Sequence, residues 1–141
     1  LDPERAAFLT KRLQEAEAKF PGFKDLRRTL LRLGGLGVCA PESDPLLDEI
    51  LAHGVVFDAS GAKRLRGRDN RCYENVSRLC LKHPDRFQIV FGWALSADGL
   101  WRSHAWALEG ERVVETTVVR VLYFGVRITA ERAARFAKAN T

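Results

Sequence analysis

Three residues fall in an order that suits acyl-transfer chemistry: Cys72, His104 and Glu115. Cys72 follows the polar run Gly67-Arg68-Asp69-Asn70-Arg71 and opens an apolar-periodic stretch, so it should begin a helix. A helix N-terminus carries partial positive charge and free N–H groups. Both favour a thiolate, the nucleophilic form of cysteine, and the same N–H groups can hold an oxyanion. His104 sits in the middle of Trp101-Arg102-Ser103-His104-Ala105-Trp106-Ala107-Leu108, a strand pattern. An imidazole beside a thiol can act as its general base. Glu115 lies in the following strand, Arg112-Val113-Val114-Glu115-Thr116-Thr117, and the two flank the turn at Glu109-Gly110 at similar depth. A carboxylate across from a histidine fixes its tautomer and stabilises the imidazolium. Cys39 and Cys80, in apolar surroundings, read as ordinary structural thiols, and His53 and His83 as helix-end residues.

The elements that must position these residues follow from periodicity and breakers. Asp2-Pro3 caps a first helix with Ala6, Leu9, Leu13 and Ala16 on one side, and Pro21-Gly22 ends it. A second helix runs from Lys24 to Leu33 and stops at Gly34-Gly35. Asp44-Pro45 opens a third through Leu46, Leu47, Ile50 and Leu51, which Gly54 closes. Val55-Val56-Phe57 is a short strand, and residues 58–71 are a polar, basic loop. The nucleophile helix starts at Cys72 and ends before His83-Pro84. Strands are expected over 88–96, 101–108, 112–119 and 121–128, with Asp98-Gly99 as a hairpin turn. Thr129 caps a final helix over 130–139, with Ala133, Phe136 and Ala137 on its apolar face. The fold class is therefore α+β: N-terminal helices, the Cys72 helix, an antiparallel meander of three to four strands, and a C-terminal helix. With 141 residues, one domain is expected over 1–141, with 1–54 as helical scaffold and 55–141 carrying the helix and sheet.

The segments Arg71-Cys72-Tyr73-Glu74-Asn75-Val76, Phe91-Gly92-Trp93-Ala94, His104-Ala105-Trp106-Ala107 and Val113-Val114-Glu115-Thr116-Thr117 together resemble the papain-like and transglutaminase-like cysteine hydrolase superfamily. The Cys-Tyr-x-Asn start and Tyr123-Phe124-Gly125-Val126 are similar to small bacterial and phage members. The resemblance covers residues 67–128. It implies a cysteine protease, amidase or acyl transferase with Cys72 as nucleophile, His104 as base and Glu115 as orienting carboxylate. The sequence departs from the family pattern at that third position, where an aspartate followed by proline is usual and Glu115-Thr116 stands here. That departure keeps open a catalytically weak or inactive protein-binding module on the same fold. The resemblance also implies an amide donor to the oxyanion shortly before the cysteine, and Asn70 is the nearest. Asn75, three residues into the helix, either faces the histidine strand or lies on the surface. Trp93 and Trp106 read as core, whereas Trp101, at a strand start, reads as the wall of a substrate groove.

Charge and composition bound the partners. The apolar fraction is 46% and the charged fraction 29%, which excludes disordered and collagen-like chains. No uncharged apolar run is long enough to span a membrane, so no membrane partner is expected. The net charge is +5. Basic residues gather at Lys63, Arg64, Arg66, Arg68 and Arg71 against Asp69, and again at Arg120, Arg127, Arg132, Arg135 and Lys138 against Glu131. The first set lacks interleaved aromatics, and no nucleic-acid-binding motif is present, so a protein or peptide substrate is expected rather than nucleic acid. Such a set is either a solvated loop or, through Arg66 and Arg68, a selector of acidic substrates at the mouth of the Cys72 site. Three cysteines at low density suit a reducing, cytoplasmic setting, and no signal peptide is evident. Leu1 opens a chain without methionine, as expected of a piece trimmed from something longer. Cys and His spacing fits no zinc site, and no metal or organic cofactor is expected.

Overall fold

The computed structural model describes residues 2–42, 46–129, 131, 132 and 135. The elements run α1 (Pro3–Lys19), α2 (Phe23–Leu33), β1 (Gly37–Val38), α3 (Leu47–His53), β2 (Val55–Phe57), β3 (Lys63–Arg64), α4 (Cys72–Lys82), β4 (Gln88–Leu95), β5 (Leu100–Glu109), β6 (Arg112–Glu115) and β7 (Leu122–Arg127). The fold is mixed α+β, as the residue patterns predict.

Local chemistry sets the helix ends. The Asp2 side chain accepts the Arg5 N–H at 2.8 Å, and Pro3 needs no partner for a nitrogen that carries no hydrogen. Gly22 takes the left-handed conformation, φ 92°, and turns the chain from α1 into α2. Phe23, Leu26 and Leu30 then form one buried stripe of α2. The expected Asp44-Pro45 start of α3 lies outside the described residues, as does most of the expected C-terminal helix over 130–139. Residues 131, 132 and 135 are helical, and the Thr129 hydroxyl accepts the Arg132 N–H at 3.4 Å.

The sheet is mixed, not antiparallel as expected. Its strands lie in the order β2-β7-β4-β5-β6-β3, and β1 pairs with β5. The β4-β5-β6 hairpins are antiparallel, but β1 joins β5 and β3 joins β6 in parallel. β7 does not extend the meander past β6. It returns beside β4, pairing Val90 to Leu95 with Arg127 to Leu122. Two further expectations change. The basic loop 58–71 contributes β3, and the N-terminal helical scaffold contributes β1. The strand expected over 112–119 stops at Glu115, where the next residues leave the ladder to bond that carboxylate.

Two apolar clusters fill the two faces of the sheet. One packs α2, α3 and α4 against Ile89, Phe91, Trp93 and Trp101. The other joins Phe57, Trp106, Leu108, Val113 and Tyr123. Gly92 on β4 lies beside Gly125 on β7 and, on its other side, beside His104 on β5. A Cβ on Gly92 would lie 2.2 Å from the Phe124 carbonyl oxygen, so the close strand approach requires glycine there.

The outer edge of β5 is interrupted. β1 covers it at Leu100 and Trp101, and β6 covers it from Ala107 to Glu109. The Trp101 carbonyl accepts the Cys39 N–H at 2.8 Å on that edge. By strand alternation, Ser103 and Ala105 turn their main-chain groups the same way, into the gap. The first residues of α4 fill it.

Candidate active site

Cys72 is the first residue of α4 and is half-buried. The helix start brings its sulfur to the gap in β5, where it accepts the Ala105 N–H and meets the His104 ring. Next to it, the Tyr73 and Ser103 hydroxyls share a 2.8 Å hydrogen bond, a second tie between α4 and the gap. His104 is 3% exposed and Glu115 fully buried. The His104 Nε2 lies 2.8 Å from Glu115 Oε1.

Glu115 is held from four directions. Its Oε1 also accepts the Tyr123 hydroxyl at 2.9 Å, and its Oε2 accepts the Thr117 N–H and hydroxyl, each at 3.1 Å. The Arg120 guanidinium stands 3.9 Å from Oε1. The Tyr123 hydroxyl in turn accepts the Arg120 N–H at 3.0 Å. Burial raises the Glu115 pKa, but the His104 hydrogen bond and charge, the Thr117 N–H and Arg120 outweigh it and hold the carboxyl below its ordinary range. An ionised carboxylate only accepts, so His104 Nε2 carries the proton and Nδ1 is left to face Cys72.

The same accounting applies to the other two groups. Burial lowers the His104 pKa, yet hydrogen bonds to Cys72 and Glu115, with the charges on both, raise it above the usual imidazole value. Burial raises the Cys72 pKa, yet the His104 hydrogen bond and charge and the Ala105 N–H bring it below the ordinary thiol value. Cys39 and Cys80 are free thiols too, but burial pushes both up, Cys80 to about 11. Of the three cysteines, Cys72 alone is shifted toward the thiolate.

The structure therefore brings Cys72, His104 and Glu115 together in that order. Two side chains, Trp101 and Asn75, lie elsewhere than the sequence suggested. Trp101 is fully buried, and its indole N–H donates to the Gly34 carbonyl at 3.0 Å, so it is core between α2 and β5 and not a groove wall. Asn75 is buried but does not face the histidine strand. Its side chain accepts the Arg68 N–H at 3.0 Å and donates to the Arg68 carbonyl at 2.8 Å, pinning the basic loop to α4. Gly67 permits this, since a Cβ there would lie 2.3 Å from the Asn75 Cγ. Asn70 is exposed in the left-handed conformation, φ 57°, and its side chain makes no hydrogen bond to Cys72, His104 or Glu115. Arg66 and Arg68 are exposed and stand 3.9 Å from Asp69 and 3.8 Å from Glu74.

Sequence reasoning did not identify Thr117, Arg120 and Tyr123 as supports of the carboxylate. Thr117 follows Glu115 by two residues, a spacing at which a side-chain acceptor commonly takes a local N–H. Tyr123 carries no such signal, because it reaches Glu115 only through the return of β7 beside β4.

No protein-family model, curated protein or solved structure matches the chain.

Proposed function

We propose that the protein is a cysteine hydrolase or acyl transferase that acts on a peptide, isopeptide or other amide bond through Cys72, His104 and Glu115. The observation that carries this reading is His104 set between a half-buried thiol and a buried, ionised carboxylate, with each ring nitrogen assigned to one partner. The chain order, with cysteine at a helix start, histidine on a strand and carboxylate on the next strand, supports placing it with the papain-like and transglutaminase-like enzymes it resembles.

In the proposed reaction, the Cys72 proton moves to His104 Nδ1 and the sulfur attacks the carbonyl carbon. The free N–H at the start of α4 faces the resulting oxyanion, with Asn70 as the proposed second donor. His104 then gives its proton to the leaving nitrogen as the C–N bond breaks, leaving a thioester on Cys72. Water or an amine, deprotonated by His104, attacks the thioester; the C–S bond breaks and the thiolate re-forms. Glu115 stays ionised throughout and holds the ring. Three free thiols suit work in a reducing compartment such as the cytoplasm.

The test is the pH profile of Cys72 alkylation in the native protein and in His104→Ala. A thiolate that reacts well below the free-cysteine pKa of about 8.5, and loses that reactivity in His104→Ala, supports the dyad. Ordinary thiol reactivity indifferent to His104 overturns it and leaves a protein-binding module on this fold.

A further inference from the structure

Two of the cations that the sequence gathers before Cys72, Arg66 and Arg68, rim a groove of about 680 Å³ with others on α4 and beyond its end. Arg66 and Arg68 stand on the loop side, Arg78 and Lys82 on α4, and Arg86 past the helix end. Leu65 and Leu79 supply apolar lining between them. Cys72, His104 and Glu115 do not line the groove, but two of its lining residues neighbour them in the chain: Asn75 lies one turn along α4 from Cys72, and Thr116 directly follows Glu115. Thr116 is 2% exposed, and its hydroxyl has no hydrogen-bond partner, a buried polar group left open at this end.

Acidic residues nearby do not neutralise the rim. One carboxylate, Glu74, serves three guanidinium groups: Arg78 at 2.7 Å, and Arg68 and Arg71 each at 3.8 Å. A single negative charge against three leaves that cluster strongly positive. Arg86 pairs with Glu109, and Arg66 stands at the outer limit of an ion pair with Asp69. Lys82 has no ion pair among the described residues. Guanidinium groups already seated on a carboxylate have the geometry to take a second one.

We propose that this groove binds an acidic peptide segment, with carboxylates on the arginine rim and aliphatic side chains on Leu65 and Leu79, and so delivers acidic protein substrates to Cys72. The delivery step rests on the proposed hydrolase reading; the binding does not. The groove favours peptide over single-stranded nucleic acid because, among the described residues, no Phe, Tyr or Trp lines it and its one ring is His83, whereas Leu65 and Leu79 suit aliphatic side chains.

The experiment uses the full chain with Cys72→Ala, so that binding is read without turnover. A fluorescent peptide of alternating glutamate and leucine is titrated by anisotropy, beside the same peptide with glutamine for glutamate and beside a short single-stranded RNA. The glutamate peptide should bind at least tenfold more tightly than the glutamine peptide and weaken steeply with added salt. Arg78→Gln with Lys82→Gln should raise its Kd about tenfold, while Arg32→Gln on α2, a cation outside the groove, should leave it unchanged. These are exposed positions, and a matching thermal melt confirms that each variant is folded. Equal binding of the two peptides, an unchanged Kd in the double variant, or tighter binding of the RNA overturns the proposal. Failure of the hydrolase reading shows instead in the alkylation profile, with peptide binding intact.

Discussion

Glu115 reaches His104 on a diagonal. The last pair of the β5–β6 ladder is Ala107 with Val114, so Glu115 lies one residue beyond it and His104 three. Two such residues are not direct cross-strand neighbours, and diagonal positions stand roughly 7–8 Å apart between Cα atoms, against about 5 Å for facing ones. The 2.8 Å contact is made by the length of the glutamate side chain. The departure from the aspartate of the resembled family is thus matched to the register of these strands.

That register makes the shorter homologue the informative variant. Glu115→Asp withdraws the carboxylate by one carbon–carbon bond, about 1.5 Å, and takes it out of hydrogen-bond range of Nε2. The second-order rate of Cys72 with iodoacetamide near pH 6.5 should fall by about tenfold, close to the loss in Glu115→Gln, since one unit of pKa is tenfold in thiolate. A native rate in Glu115→Asp would mean that the diagonal does not set the length.

The three thiols should label in a fixed order. Peptide mapping after brief alkylation at neutral pH should find Cys72 modified first and Cys80, whose thiol is pushed up to about 11, last. In Cys72→Ala the early label should vanish without reappearing at Cys39 or Cys80.

Acid should loosen the fold through Glu115. Its pKa is lower in the folded chain than the ordinary 4.5, so its contribution is present above that value and is lost as pH falls through the folded one. Urea melts at neutral and acid pH should show that loss, and Glu115→Gln, which has no carboxyl to protonate, should flatten the acid limb.

Tyr123→Phe removes one donor from that carboxylate and one acceptor from the Arg120 N–H. The expected cost is about 1–2 kcal/mol of stability. The acid limb of the alkylation profile should also move upward, because Glu115 is then less well held as an anion. A merely structural tyrosine would lower the melting temperature and leave the profile in place.

Asn75→Ala should cost about 1–3 kcal/mol, since it leaves the Arg68 N–H and carbonyl without their partners. Proteolytic nicking between Arg64 and Arg71 in the variant, absent in the native chain, would show that the loop has come off α4.

Helices α1, α2 and α4 and the placing of Cys72, His104 and Glu115 were legible because each depends on local signals. Asp2-Pro3, Pro21-Gly22 and His83-Pro84 punctuate the chain, and the position of Cys72 needs only a helix start. Sheet order was not legible. β1 and β3 are two residues each, too short to carry alternation, and their parallel pairing comes from where the chain happens to return. Trp101 misled because a strand-start tryptophan after a turn is exposed unless something covers it, and α2 does so through the Gly34 carbonyl. The supports of Glu115 span from β6 to β7, a proximity that follows from β7 crossing back to β4 and has no counterpart in residue spacing.

The break in the outer edge of β5 couples a helix to a sheet in time as well as in space. The main-chain amide of Ala105 has neither β1 nor β6 to shield it; its acceptor is the Cys72 sulfur. Its exchange with solvent deuterium therefore reports the seating of α4, not the opening of the sheet. The start of the helix and the middle of the strand should breathe as one cooperative unit, faster than β4, which is paired along both its edges.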